Sequence, residues 1–303
     1  MAKRYKSTTK KKQHFVPRFY LKNFSNKKKG KQLKHLIWCF NKSDERSFIK
    51  NINDVAHENY FYDVIRGGNF IENKLERFEN EHKKVLKTLI TEKDLSLLSK
   101  DEKKVISHLI VTQFVRTREM RDLIIGMDQL RYENNITTKY EGIGVKFQHL
   151  GFIYYILQEY VTDFKLSPFL NMKWSLMINN TVLDYWTSDN PVNIYNGLKN
   201  KYFANIGLIG EGVEIYYPLT PKLCLTLVDS KYYPKLPNES IIQIDDVRYI
   251  IDVNRLQVIL SGKEVYSINN DFSIAHKILE EYPQFKQNNW NLIKDNYTFK
   301  KSY

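Results

Sequence analysis

An α+β fold is predicted by three observations. Apolar residues recur at helical spacing through the middle of the chain, about positions 69–164. Period-two alternation broken by turn signals occupies both flanks. No Pro/Gly/Ser-rich linker separates the halves of the 303-residue chain, so they belong to one domain. The expected architecture is a central helical bundle flanked by short antiparallel strands from both halves. Hydrophobic content of 42% and aromatic content of 14% suffice for its core.

Residues 1–12 read as a basic arm without apolar period, expected to be disordered; 13–290 form the domain and 291–303 a C-terminal tail. Pro17 suits the first turn of a short helix, with Tyr20, Leu21 and Phe24 on one face and Asn26 and Gly30 as exit signals. Leu33–Phe40 and Arg46–Ile52 read as a hairpin, Tyr60–Tyr62 as a third strand, and Gly67-Gly68 as its end. Asn69 with Glu72 makes a cap-like pair at the start of a helix whose apolar stripe includes Ile71, Leu75, Phe78, His82, Val85 and Leu89. Ser99 with Glu102 forms a second capping box and opens one long helix to about Glu133. A third helix, Val145 to Phe164, closes at Ser167-Pro168.

The second half alternates like a half-buried sheet. Met172 to Ile178 is a strand and Val182 to Thr187 its hairpin partner across Asn179-Asn180. Residues 193–212 read as a loop, then Ile215–Tyr217 and Leu223–Val228 as strands. Asp245 or Asp246 caps a helix through Ser261, with Gly262 at C′, and Ile274 to Tyr282 is the last helix.

Charge is sorted along the chain. The first 43 positions carry 14 of the 47 basic residues and none of the 34 acidic ones, so nearly all of the net +13 sits there. A basic arm on a neutral body fits polyanion contact through phosphate counterion release, and equally a solubilising tail. No apolar run can span a bilayer and no signal-peptide core is present, so no membrane partner is expected. Cys39 and Cys224 match no metal or redox spacing, which fits the cytoplasm.

Several polar residues interrupt the pattern. His14 lies just before the first short helix, whose dipole favours a neutral imidazole able to act as base, ligand or donor. Arg18, in the first turn, could clamp a phosphate. Gln113 and Arg116 fall on the apolar stripe between Leu109 and Met120 and face the core or a cleft. A buried guanidinium needs a bound anion or a carboxylate, such as a glutamate of the preceding helix. Glu72, Glu76 and Glu79 share one helix face and could hold a divalent cation or work as acid and base; Glu72 could equally be a capping partner. His82 is expected as a satisfied core histidine. Asp189, in Ser188-Asp189-Asn190-Pro191, either closes an Asx turn or presents a carboxylate at a strand end. Walker, zinc-helix, nucleophile-elbow and Cys/His zinc patterns are absent.

The run His14-Phe15-Val16-Pro17-Arg18-Phe19-Tyr20-Leu21-Lys22-Asn23-Phe24 resembles the opening signature of a bacterial family of unknown function, domain-of-unknown-function family 4238. Asn69–Glu79, Gln113-Phe114-Val115-Arg116-Thr117, Thr187-Ser188-Asp189-Asn190-Pro191-Val192 and Pro218-Leu219-Thr220-Pro221 agree in order. Where the family often carries a second histidine, this chain has Gln13. The resemblance implies a shared fold and shared special positions, including Tyr20 within the signature, but no reaction.

The leading expectation is a nucleic-acid phosphodiester hydrolase. His14, Asp189, Glu72 and Glu79 would be catalytic, Arg18, Tyr20, Gln113 and Arg116 substrate-binding, with Mg²⁺ as a possible cofactor. A non-catalytic nucleic-acid- or partner-binding module, or an enzyme on a small phosphorylated metabolite, are the alternatives.

Overall fold

The computed structural model describes residues 10–28, 34–63, 69–133, 143–158, 163–196, 201–202 and 210–287. Strand β1 (Lys12–His14) leads into Pro17 and a single-turn helix α1 (Arg18–Leu21), continued by a 3-10 turn to Phe24. Pro17 is the N-cap of α1 rather than part of its first turn, with an extended backbone. The expected exit at Asn26 is instead strand β2 (Asn26–Lys28). Gly30 and Gly67-Gly68 lie outside the described residues.

The hairpin forms as β3 (Lys34–Asn41) and β4 (Ser47–Asn51), with Trp38 opposite Ile49. The next strand is β5 (His57–Asn59), not Tyr60–Tyr62. It pairs with β1, setting His14 opposite His57, and Tyr60 then turns the chain with a left-handed φ of 57°. The other edge of β3 takes β2 at its start and β13 (Glu264–Ser267) at its end. Strand β7 (Thr187–Ser188) extends that sheet beyond β13.

The helical middle is α2 (Phe70–Glu92), α3 (Lys100–Val115), α4 (Arg118–Glu133), α5 (Ile143–Ile156) and α6 (Asp163–Leu170). Asn69 makes no side-chain capping bond, whereas Ser99 and Glu102 form the full capping box. The long helix expected to reach Glu133 is broken at Arg116-Thr117. The Thr117 hydroxyl takes the Met120 N–H at 3.2 Å and so starts a new helix. The third expected helix is likewise two, and Pro168 lies inside the second rather than closing it.

The six-stranded sheet runs β12 (Ser240–Ile244), β6 (Lys173–Asn179), β11 (Leu223–Val228), β10 (Val213–Thr220), β8 (Asn193–Asn196), β9 (Lys201–Tyr202). All these pairs are antiparallel except β12 with β6. Residues 182–187 are not the partner of β6. Their backbone is used elsewhere: the Tyr185 N–H donates to the Pro221 carbonyl at 2.9 Å and the Trp186 N–H to Asn254 Oδ1 at 2.8 Å. The expected loop over 193–212 contains β8 and β9.

Every residue of β11 is buried because both faces are covered. Leu223, Leu225 and Leu227 join the core shared with α2, α3, α5 and α6; Cys224 joins the cluster with Ile250 and Val253 of α7 (Val247–Leu260). β3 divides its side chains the same way. Ile37 and Cys39 enter the main core, and Phe40 packs with α7 and α8 (Ser273–Glu281). The chain is thus an α+β domain whose helical bundle is flanked by strands from both halves.

Asp246 caps α7, accepting the Arg248 N–H at 2.9 Å. At its other end, the buried Lys42 ammonium donates to the Ser261 carbonyl at 2.5 Å, a cation on the negative end of the helix dipole. Gly262 stands at C′ but without the left-handed φ that usually selects glycine there. Its reason is space: a Cβ would lie 2.9 Å from Glu119 Oε2 and 3.5 Å from Asp189 Oδ2. Gly262→Ala is therefore expected to destabilise the fold by about 1–3 kcal/mol, read as a lowered urea midpoint. An unchanged midpoint would mean that the two carboxylates give way freely.

Candidate functional site: a basic cleft beside the first histidine

A cleft of about 790 Å³ opens between the β1–α1 segment and α2. His14, Arg18, Glu72, Glu79 and Arg116 line it together, although they are spread over a hundred positions of sequence. Among the described residues seven basic side chains face it against three carboxylates. Lys10, Lys11 and Lys12 belong to this wall, so the end of the expected disordered arm is structured. Lys10 pairs with Glu76 and Lys12 with Asp54, each at 2.7 Å and exposed, contacts of little energetic weight. Residues 1–9 lie outside the described part.

Arg116 is the post of the cleft. It is 2% exposed and C-caps α3. Its fork donates to Glu79 Oε1 at 2.8 Å, the His14 carbonyl at 2.7 Å and the Tyr62 hydroxyl at 3.0 Å. Burial by itself would draw the guanidinium down; Tyr62 and Glu79 outweigh it and hold it above its ordinary value. Of the two partners foreseen for Arg116, the carboxylate of the preceding helix is the one in place. Tyr62 closes the knot by donating to the His14 carbonyl at 3.1 Å, while its own N–H goes to Gln13 Oε1 at 2.6 Å.

His14 is held neutral, with a pKa lowered to about 4. Burial is the first cause, followed by the charges of Arg18, His57 and Arg116. The helix dipole invoked from sequence is not needed, since α1 is a single turn. Nε2 of His14 is covered and has no hydrogen-bond partner. Its ring lies 5.3 Å from that of His57, centroid to centroid. Arg18 is exposed and touches Asn53 Oδ1 at 3.1 Å.

The three carboxylates of α2 differ. Glu76 is taken by Lys10 and Glu79 by Arg116. Glu72, half-buried, accepts no hydrogen bond from any described residue, and burial raises its pKa despite the opposing charge of Arg116. Among the described residues no three His, Cys, Asp or Glu side chains converge as a metal site.

The other sequence-derived candidates lie elsewhere. Tyr20 is wholly buried, bonding Thr187 Oγ1 at 2.7 Å and the Pro218 carbonyl at 2.6 Å. It thereby ties the opening signature to two later family segments. Gln113 is buried and donates to the Phe15 carbonyl at 3.1 Å. Asp189 sits under the α7–β13 turn, accepting the N–H groups of Gly262, Lys263 and Glu264 at 2.8, 2.8 and 3.0 Å. His82 is a core histidine, as expected: its Nε2 lies 2.9 Å from His108 Nδ1. Burial lowers the pKa of both rings and keeps them neutral; with the Ile156 carbonyl accepting from His108 Nε2 at 3.1 Å, His82 then donates to His108.

Sequence reasoning missed Tyr62, His57 and Asn53. Nothing local marks them; His57 and Tyr62 reach the site through the pairing of β1 with β5 and the turn after it, and Asn53 through the 3-10 turn Ile52–Asp54 that precedes β5.

The chain belongs to the family of proteins of unknown function DUF4238, whose profile matches residues 12–150 and 159–271. No curated protein and no solved structure matches it. Among the described residues no helix is long and apolar enough to cross a membrane.

Proposed function

We propose that this cleft binds and hydrolyses a phosphodiester of nucleic acid, in the cytosol. One observation carries the reading: a neutral histidine and two arginines, from distant parts of the chain, meet in a basic cleft entered by the lysine-rich N-terminal segment. Arg18, exposed at the rim, would hold phosphate oxygens and stabilise charge developing on them. The lysines would add sequence-independent affinity. Water would attack phosphorus while its proton passes to His14 Nε2, which substrate entry would first uncover; the P–O ester bond breaks and the departing oxygen takes a proton from solvent. Glu79 would act through Arg116, keeping it and the His14 backbone in place. Asp189 is too deeply built into the α7–β13 turn to take part. Mg²⁺, when bound, would supply charge at the phosphate; among the described residues Glu72 is the carboxylate of the cleft left open to it. The free, buried thiols of Cys39 and Cys224 fit a reducing compartment.

A non-catalytic nucleic-acid-binding module is the second reading, favoured by the covered Nε2 of His14. Incubation of the purified protein with single- and double-stranded DNA and RNA, with and without Mg²⁺, separates the two. Strand cleavage is expected, about a hundredfold slower in His14→Ala. Salt-sensitive binding with every substrate left intact would support the module and end the hydrolase reading.

A further inference from the structure

The cleft is not uniformly basic. Arg18, Lys22 and His35 line its α1 side and carry no carboxylate among them; Glu72, Glu76 and Glu79 line its α2 side. Lys10 neutralises Glu76 and Arg116 neutralises Glu79, at 2.7 and 2.8 Å. Glu72 is left half-buried with no donor from any described residue. Such a group has lost part of its water without gaining a partner, an unfavourable arrangement that a ligand donor would relieve. A cleft made for phosphate alone would gain nothing from it, since an open carboxylate repels phosphate. Its volume, about 790 Å³, also exceeds what one phosphate fills and falls within the range of small-molecule sites.

We propose, building on the phosphate reading above, that the cleft binds a nucleotide unit in one direction: its phosphate on Arg18, and a donor-bearing part, ribose hydroxyls or a base amino group, on Glu72. Glu72 would then be a specificity-determining residue. A carboxylate that gains two neutral donors prefers such a ligand to bare phosphate by the worth of those bonds, about ten- to a hundredfold.

Titration calorimetry on the full chain tests this with inorganic phosphate, ribose 5-phosphate, AMP and 2′-deoxy-AMP. AMP is expected to bind about ten- to a hundredfold more tightly than inorganic phosphate. In Mg²⁺-free buffer Glu72→Ala should erase that preference, with phosphate affinity raised or unchanged once the repelling carboxylate is gone; Glu72→Gln, of equal size, carries the test if the alanine variant fails to fold, and should reduce the preference. Ribose 5-phosphate matching AMP would identify the sugar hydroxyls as donors. Equal, stronger binding of AMP and 2′-deoxy-AMP would identify the base. A preference unchanged in both Glu72 variants overturns the inference and leaves the phosphate reading intact. Phosphate affinity indifferent to Arg18→Ala overturns the phosphate reading, and this inference with it.

Discussion

Between pH 6.5 and 4 the protein should lose about 3 kcal/mol or more of folding stability, seen as a urea midpoint that falls steadily on acidification. Burial holds His14 and His149 each at about 4, His108 below its ordinary value and His82 well below it. In the unfolded chain these rings protonate near 6.5, so through this window the unfolded state binds more protons and gains on the native one. His14 and His149 each contribute about 3 kcal/mol at full shift. Asp189 works the other way. Burial lifts it to about 6, so on acidification it protonates first in the native state and returns up to about 3 kcal/mol. Two histidines against one aspartate leave a net loss, and His82 and His108 add to it with the same sign. A midpoint that stayed level from pH 6.5 to 4 would show that these rings are open to solvent.

Replacing Arg116 by alanine should destabilise the fold by about 3–5 kcal/mol, because it strands the Glu79 carboxylate and leaves the His14 carbonyl and the Tyr62 hydroxyl with only each other. Arg116→Lys should recover only part of this, since an ammonium cannot reach Glu79, the His14 carbonyl and Tyr62 at once in the planar geometry of the fork. The double change Arg116→Ala with Glu79→Ala should cost less than the sum of the single changes, as for any coupled pair. Urea denaturation gives all four values. A loss below about 1 kcal/mol for Arg116→Ala would mean that neighbouring groups or water replace its bonds.

The helices were legible wherever apolar period and capping agreed. Ser99 and Glu102 announce α3, and the stripe from Ile71 to Leu89 defines α2. What escaped is where a local signal competes with a continuing pattern. Thr117 restarts the helix inside a helical period that continues past it, and Pro168 is carried within α6. Pairing partners escaped for another reason. Residues 182–187 look like half of a hairpin, but Tyr185 and Trp186 donate to Pro221 and Asn254, distant groups that no window of sequence reveals. Arg116 was recognisable as a buried cation needing an anion, and Glu79 among the candidates, because charge on an apolar stripe is costly anywhere. Tyr20, Gln113 and Asp189 are equally conspicuous, yet each spends its bonds inside the fold, on backbone groups and, for Tyr20, also on the Thr187 hydroxyl. Polar residues out of pattern reveal that a demand exists; whether backbone or ligand meets it is a matter of tertiary position.

The pairing of β3 with β13 joins residues 34–41 to 264–267. During synthesis the first of these strands leaves the ribosome long before its neighbour is made. One rim of β3, carrying Trp38 and Phe40, therefore waits unzipped through most of translation, a template for stray strands of other chains. Maturation should be slow and limited by this late closure, as is usual when contacts span great lengths of chain. Products ending before residue 264 should collect in inclusion bodies rather than persist as trimmed, functional remnants.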